Sequence, residues 1–439
     1  MFSTLRNAFK IKELRQKLLF TFLMLVVIRL GSSLPIPGVN TNYFREFFAK
    51  QSGDAFGFFN AMTGGSFEQM SVLALSITPY ITSSIIIQLL TIAVPALEEM
   101  QRDGEDGRKK IVAYTRYVTV ALGLIESVAM SIGFGKQGLL IHYGPKSVIV
   151  AVCTMTAGSA FLMWIGERIT DKGVGNGISI VLLFNILSSI PQDLDTLYTK
   201  FLSGKSMAMK VVLGLVIFAC ILAMTVFVII LQDAERRIPV QYSGKMQGRR
   251  VVGGQSSHIP LKVNTAGVMP VIFASSLMSF PVVIAQFANI NYATPAGKIL
   301  RLLSTSSWFN KEVGYIYSLG ALVYVILVVL FAYFYTSITF NPLEVANNMK
   351  KQGGVIPGVR PGKPTSDYLN KILNYIIFIG AAGLLVVAII PIIISGVFSV
   401  SKLSFTGTSL IIIVGVVLET IKAIESQMLV RNYKGFLMD

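Results

Sequence analysis

A series of long apolar runs, separated by short polar connections, constrains this chain more than any other feature. An α-helix needs about 20 mostly apolar residues to cross a bilayer. Mean hydropathy is +0.66 and 53% of residues are hydrophobic, which excludes an ordinary water-soluble domain. The runs predict ten spans, at 18–34, 71–93, 117–135, 148–166, 176–190, 211–231, 266–288, 315–336, 373–396 and 404–421.

The distribution of Lys and Arg predicts the orientation of these spans. Cytosolic connections of membrane proteins carry an excess of positive charge. With ten spans and a cytosolic N-terminus, the inside segments hold 26 Lys and Arg and the outside segments hold 11. The fifth span is weak because we expect Pro191 to end it. Removing it would place the basic loops 232–265 and 337–372 outside, so we keep ten spans and two cytosolic termini.

Ten spans divide into two halves of five, 1–190 and 191–439. An odd number of spans in each half makes the halves run in opposite senses, as inverted repeats do. No self-similarity between the halves is visible, so the count only permits this arrangement. The two basic loops are longer than a connection needs, and their polar, glycine-rich composition predicts docking projections.

Residues that could carry cofactor chemistry are few and scattered. Cys153 and Cys220 lie inside apolar runs, and His142 and His258 are far apart, so we expect neither a disulfide nor a metal site. The string 204–206 matches only the end of a nucleotide-binding loop. We find no catalytic pair for an intramembrane enzyme and expect no cofactor. In a membrane protein, the net charge of +16 points to anionic lipid and cytosolic partners.

Few ionisable residues lie within the predicted spans. They are Arg29, Glu126 and Glu419. Ion-coupled transporters usually place carboxylates or histidines near the middle of the membrane. This shortage disfavours a secondary transporter of a small solute, although hydroxyls and backbone carbonyls leave sodium coupling open as an alternative.

Residues 53–92 contain the most unusual sequence. The segment 56–70 is apolar and aromatic but too short to span, and Gly64 and Gly65 separate it from the second span. Non-helical backbone at membrane depth is tolerated where protein buries it or where it lines a watery cavity. The segment is therefore either a short helix folded back into an outer vestibule or an ordinary surface loop.

Polar and small residues mark three other places in the predicted spans. The second span carries a polar stripe beside an isoleucine row, Ile77, Ile81 and Ile85, which lines a pore or faces lipid or core. The seventh contains Pro270 among small residues that allow close helix packing. Before the fifth, the glycine-rich string 173–177 is a hinge or a tight turn, and we expect Asn176 to cap the helix that follows.

These strings together resemble the SecY family of channel-forming subunits of bacterial protein translocons. The resemblance runs in order along essentially the whole chain. Its motifs are LPIPGV (34–39), TPYITSSIIIQLL (78–90), GEDGRKK (104–110), TRY (115–117), GVGNGISI (173–180), ERRIPVQY (235–242), QGRRV (247–251), HIPLKVNTAGVMPVIFASS (258–276), FNP (340–342), IPGVRPGKPT (356–365) and GTSL (407–410).

The resemblance implies an all-α fold of ten transmembrane helices in two inverted five-helix halves around a central pore, with a short re-entrant plug helix at 56–70. The implied pore ring is Ile77, Ile81, Ile178, Leu182, Ile272 and Ile412. The implied lateral gate contains Thr82, Ser83, Gln88, Ser275 and Ser276, whose polar groups we expect to hydrogen-bond across a closed seam. The implied plug includes Phe58, Phe59, Asn60, Met62, Thr63, Gly64 and Gly65.

The resemblance also implies partners and a mode of action. Lys245, Arg249, Arg250 and Arg360 correspond to docking positions for the SecA ATPase and the ribosome. SecE and SecG are the implied membrane subunits, and signal peptides and unfolded preproteins are the implied cargo. The expected function is passive: the channel passes secretory chains across the bacterial plasma membrane and releases apolar segments into lipid, while its partners supply the energy.

Overall fold

The computed structural model describes Arg6, Asn60 and residues 9–50, 62–135, 138–203, 206–242, 245–247, 250–252, 256–287, 294–309, 314–398 and 407–435. The helices are α1 Lys12–Ser33, α2 Thr41–Lys50, α3 Thr78–Ala93, α4 Pro95–Arg102, α5 Glu105–Gly133, α6 Pro145–Lys172, α7 Gly177–Leu197, α8 Met207–Asp233, α9 Met269–Phe287, α10 Pro295–Leu303, α11 Leu319–Thr339, α12 Pro342–Lys351, α13 Lys363–Phe398 and α14 Gly407–Gly435. Five short strands are β1 Glu235–Tyr242, β2 Lys245–Gln247, β3 Arg250–Val252, β4 Ser256–Lys262 and β5 Gly354–Val355.

A helix overlaps each of the ten predicted spans, but not every one of these helices is long and apolar enough to cross a membrane. Within the described residues, six helices are long and apolar enough to cross a membrane, and a bent pair raises the number to seven. That pair is α3 and α4, which meet at 105°. The chain is therefore mostly helical with at least six apolar spans, and the count of ten stays a prediction.

The second predicted span is shorter than expected. The prediction began it at residue 71, but α3 begins at Thr78, and residues 64–77 form successive turns apart from an isolated bridge at Ser71. Gly64, Gly65, Met70 and Ser76 have positive φ angles, which a right-handed helix cannot accommodate. Pro79 then occupies the first turn of α3, where its missing N–H costs nothing.

The fifth predicted span is longer than expected, because Pro191 does not end it. Helix α7 runs through Pro191 to Leu197 and continues as a π-helical turn, Tyr198–Leu202. Membrane helices tolerate an internal proline when neighbouring groups satisfy the freed backbone carbonyl. The predicted boundary between the halves, at 190/191, consequently falls inside a helix.

The helices of each predicted half pack mainly on one another, and several contacts join the halves. In the first half α3 packs on α5, α5 on α6, and α6 on α7 and α1; in the second, α11 packs on α9 and α13, and α14 on α8 and α13. Helix α7 contacts α14, α5 contacts α9, and Lys17 on α1 donates to Gln427 Oε1 on α14 at 3.2 Å. One apolar cluster contains buried residues of both halves.

The two basic loops are not independent coil, and the all-α expectation is wrong for them. Strand β1 pairs antiparallel with β4 from the same loop and with β5 from the other, through Gln241 opposite Val355. Beneath this sheet, Ile238, Leu261, Ile356 and Leu369 belong to one buried cluster. The loops 232–265 and 337–372 therefore share a single small core.

Candidate functional site

The predicted pore residues converge in one apolar cluster drawn from both halves. Ile77, Leu182, Ile272 and Ile412 are at most 7% exposed, and Ile81 and Ile178 pack against them. They come from the start of α3 and from α7, α9 and α14. A constriction of bulky aliphatic side chains excludes water and is deformable, so this cluster has the chemistry of an apolar seal.

Residues 62–77, called the re-entrant segment here after the sequence expectation, are mostly buried and contact this cluster. Met62, Leu73 and Ile77 belong to the cluster itself. From Gly64 onward the segment consists of turns, so the predicted plug helix is absent there; Asn60, Met62 and Thr63 alone are helical in the described part of 56–70. Phe58 and Phe59 lie outside the described residues.

The turns of the re-entrant segment are held by its own polar groups. The Asn60 amide donates to Glu68 Oε2 at 3.2 Å, and the backbone N–H of Glu68 donates to Asn60 Oδ1 at 3.2 Å. The Thr63 hydroxyl accepts from the N–H of Phe67 and donates to the Asn60 carbonyl. These bonds satisfy backbone groups that helix or sheet would otherwise pair, as buried irregular backbone requires.

Three side chains from neighbouring helices bind the backbone of this segment. Asn185 Nδ2 on α7 donates to the carbonyl of Met62 at 3.2 Å and to Ser76 Oγ at 3.0 Å. The Ser188 hydroxyl, one turn farther along α7, and Arg29 Nη1 on α1 both donate to the carbonyl of Gly64, at 3.3 and 3.4 Å. The sequence prediction missed Asn185 and Ser188; the available signal was a polar amide inside an apolar span.

Two of the predicted gate residues, Thr82 and Ser83, form hydrogen bonds within their own half in the part of the chain that the structure describes. The buried Ser83 hydroxyl lies 2.6 Å from the Thr119 hydroxyl and donates to the Thr115 carbonyl at 3.2 Å, so it joins α3 to α5 within one half. Thr82 donates to the Thr78 carbonyl of its own helix. Hydroxyl groups in membrane helices form hydrogen bonds with neighbouring helices. For Ser83, these bonds are made with α5.

The remaining predicted gate residues, Gln88, Ser275 and Ser276, lie on α3 and α9. Gln88 is partly buried on α3, and Ser276 is partly buried on α9. Ser275 is buried beside the phenol of Tyr324 on α11, which belongs to its own half. The contact between the halves on this side is the packing of α5 against α9.

The glycine-rich string before α7 is a tight, close-packed turn. Asn176 caps α7 by accepting from the backbone N–H groups of Ile178 and Ser179, as its position predicts. The Thr170 hydroxyl accepts from the N–H of Gly177 at 2.9 Å, and the Thr21 hydroxyl on α1 accepts from that of Val174 at 3.3 Å. These contacts hold the entrance of α7 between α6 and α1.

Three of the four predicted docking residues lie in the described parts of the two basic loops. Arg360 is exposed, and its carbonyl accepts from the Thr365 hydroxyl at 2.8 Å, close to the start of α13. Lys245 and Arg250 lie in β2 and β3, which pair antiparallel. Arg249 lies outside the described residues.

An ion pair connects the base of these loops to the last helix. Asp233, at the end of α8, accepts from Lys422 Nζ on α14 at 2.7 Å. This hydrogen bond and the charge of Lys422 lower the pKa of Asp233. Both side chains are half-exposed, so the pair contributes little to stability and serves to orient the two helix ends.

Comparison with known proteins places the chain among protein translocase subunits. The family model described as SecY matches residues 71–421. A relative named Protein translocase subunit SecY, from Halalkalibacterium halodurans, is 43% identical over 443 residues, covering 100% of both chains.

Solved structures share the fold at lower sequence identity. One solved structure has a TM-score of 0.62 at 17% identity, covering 94% of this chain and 92% of the other. It was reported in work on the plug domain of the SecY protein, which stabilises the closed state of that translocation channel and maintains a membrane seal. Canine Sec61 from a ribosome–channel complex has a TM-score of 0.60 at 16% identity with the same coverage. At these identities the likeness establishes the fold.

Proposed function

Because this chain belongs to the SecY family of multi-pass membrane proteins, we propose that it is the pore-forming subunit of a bacterial protein translocase. It conducts unfolded secretory chains across the plasma membrane and releases transmembrane segments sideways into lipid. The channel is passive and non-enzymatic, so the driving energy comes from its partners.

The observation that carries this proposal is the apolar cluster contributed by both halves. Ile77, Ile81, Ile178, Leu182, Ile272 and Ile412 act as a ring that blocks ions at rest and widens around a polypeptide. Leu182 supplies about the same volume as an isoleucine, so it fits an otherwise all-isoleucine ring. Side chains that merely pack against each other, without covalent or ionic links, separate when a chain is forced between them.

The proposed architecture assigns ten spans to two inverted halves, 1–190 and 191–439, with both termini in the cytosol. The excess of Lys and Arg in the inside segments supports this orientation. The re-entrant segment acts as the plug. The pore opens sideways where α5 meets α9, next to Thr82, Ser83, Gln88, Ser275 and Ser276.

The proposed partners dock on the shared core of the two basic loops. Lys245, Arg249, Arg250 and Arg360 present guanidinium and ammonium groups that pair with rRNA phosphates or with carboxylates of the SecA ATPase. The canine neighbour comes from a ribosome–channel complex, which supports the ribosome as a partner. SecE and SecG complete the membrane assembly, with SecE clamping the two halves.

The test is transport by the purified chain reconstituted with SecE and SecG in proteoliposomes. SecA, ATP and an unfolded preprotein with a signal peptide are added, and protease-protected preprotein is measured. Protection that requires ATP supports the proposal. Its absence, with all partners active, together with saturable ion-coupled uptake of a small solute, would favour the secondary-transporter alternative.

A further inference from the structure

The strongest unexplained feature is the buried amide of Asn185. It is 6% exposed, and both of its described hydrogen bonds leave its own helix. A buried polar group that forms no bonds is costly, whereas one fully bonded to two other elements fixes their relative position. The hydrogen bonds of Asn185 therefore both offset the cost of burying its amide and fix the position of the groups that it binds.

The partners of Asn185 lie on two separate parts of the re-entrant segment. One N–H donates to the carbonyl of Met62 at the segment's beginning, and the other to the hydroxyl of Ser76 at its end. Ser76 has a φ of 51°, and the carbonyl of Met62 precedes the turns at Gly64 and Gly65. The amide thus bridges the two ends of a buried stretch that has no regular secondary structure to hold it.

Asn185 is also placed next to the proposed ring. It follows Leu182 by three residues on α7, so the two side chains lie on one helix face. Its acceptor Ser76 directly precedes Ile77, and its acceptor Met62 packs into the ring cluster. Movement of the segment away from the ring requires both hydrogen bonds of Asn185 to break.

We infer that Asn185 is a positioning residue that latches the re-entrant segment across the apolar ring in the closed channel. This inference rests on the proposed function for its biological meaning, but the latch is a physical property of the chain. Ser188 and Arg29 support the latch at its edge through the carbonyl of Gly64. A Cβ at Gly64 would lie 2.5 Å from Ser188 Oγ and 2.8 Å from the Asn185 carbonyl, so the segment fits closely against α7.

The experiment measures how often the re-entrant segment moves away from its buried position and becomes exposed to solvent. Ser66, a buried hydroxyl inside the segment, is replaced by Cys in a full-length chain whose Cys153 and Cys220 are Ala. The protein is reconstituted with its membrane partners, and a membrane-impermeant maleimide is added from outside. The labelling rate, at equal amounts of folded protein, reports exposure of the segment.

Asn185→Leu is expected to raise this labelling rate about tenfold, because it removes two hydrogen bonds at nearly constant volume. Ser188→Ala removes the 3.3 Å bond to the Gly64 carbonyl and the 2.7 Å bond to the Asn185 carbonyl of its own helix. Only the first bond holds the segment, so we expect a two- to threefold rise, and this variant replaces Asn185→Leu if that one does not fold. As a single change, Ser76→Ala should also raise the labelling rate. In the double variant with Asn185→Leu it should add little, because the two residues share one hydrogen bond.

The matched control is Ser131→Ala on α5. Ser131 is fully buried, and its hydroxyl has no hydrogen-bond partner among the described residues. Its removal should leave the labelling rate unchanged. Equal labelling of Asn185→Leu and the parent, or an equal rise in the Ser131→Ala control, overturns the latch.

A separate readout distinguishes failure of the latch from failure of the proposed function. ATP-dependent preprotein protection is measured on the same Cys-substituted parent. If the parent transports no preprotein but labelling still depends on Asn185, the function is wrong and the latch stands. If transport occurs and labelling ignores Asn185, the latch alone is wrong.

Discussion

At the scale of single residues, the proposed seal would depend on a few aliphatic side chains. We expect the triple change of Ile77, Ile81 and Ile272 to Gly to make the resting channel leak ions, because it removes three of the six side chains assigned to the proposed ring. Single-channel conductance in planar bilayers measures the leak. The triple change to Leu conserves volume and should stay closed, so a leak of equal size in both variants would contradict the ring.

Ser83 is a second test at the residue scale, because its bonds join α3 to α5. Ser83→Ala should lower the free energy of unfolding by about 1 kcal/mol, since a buried hydroxyl loses its contacts with Thr119 and Thr115. Thr82→Ala, which loses only a bond within its own helix, is the control. Thermal unfolding in detergent measures both. An equal effect at the two positions would mean that the contact with α5 carries no particular weight.

At the scale of elements, the glycine-rich entrance of α7 tests close packing. A Cβ at Gly177 would lie 2.0 Å from the Gly166 carbonyl oxygen, so Gly177→Ala has to push α7 away from α6. We expect a loss of about 1–3 kcal/mol, as for other overpacked sites. The control is Gly144→Ala. Gly144 precedes the first turn of α6, has an extended φ of −158°, and has no atom within 4 Å of where its Cβ would lie, so this change should be nearly neutral. The midpoint of thermal unfolding compares the two variants.

The same element shows what the sequence could and could not predict. Hydropathy located α7, and the cap at Asn176 followed from residue type, but Pro191 suggested an end that tertiary contacts override. Strand β1 was missed because its buried positions, Ile238 and Val240, face a core to which both loops contribute. The resemblance assigned Ile77 and Leu182 to the ring as an expectation. It could not single out Asn185, whose partners are a backbone carbonyl and a serine hydroxyl more than 100 residues away.

At the scale of the whole molecule, the two basic loops that the charge pattern predicts to be cytosolic form one body. The loops 232–265 and 337–372 share a sheet and a core. This body continues directly into α8, α9, α11 and α13. In the proposed function, a partner bound to either loop would therefore act on the helices of the half that carries Ile272 and Ile412.

The corresponding prediction concerns Arg360. Arg360→Glu should reduce SecA-driven preprotein transport at least tenfold without lowering the amount of folded protein, because Arg360 is exposed on the shared core and reversal of its charge repels an acidic partner. Lys298→Glu is the matched control, an exposed charge reversal on the predicted outer side. Transport in proteoliposomes and protein abundance are measured together. Normal transport by Arg360→Glu, or an equal loss in Lys298→Glu, would remove Arg360 from the docking surface.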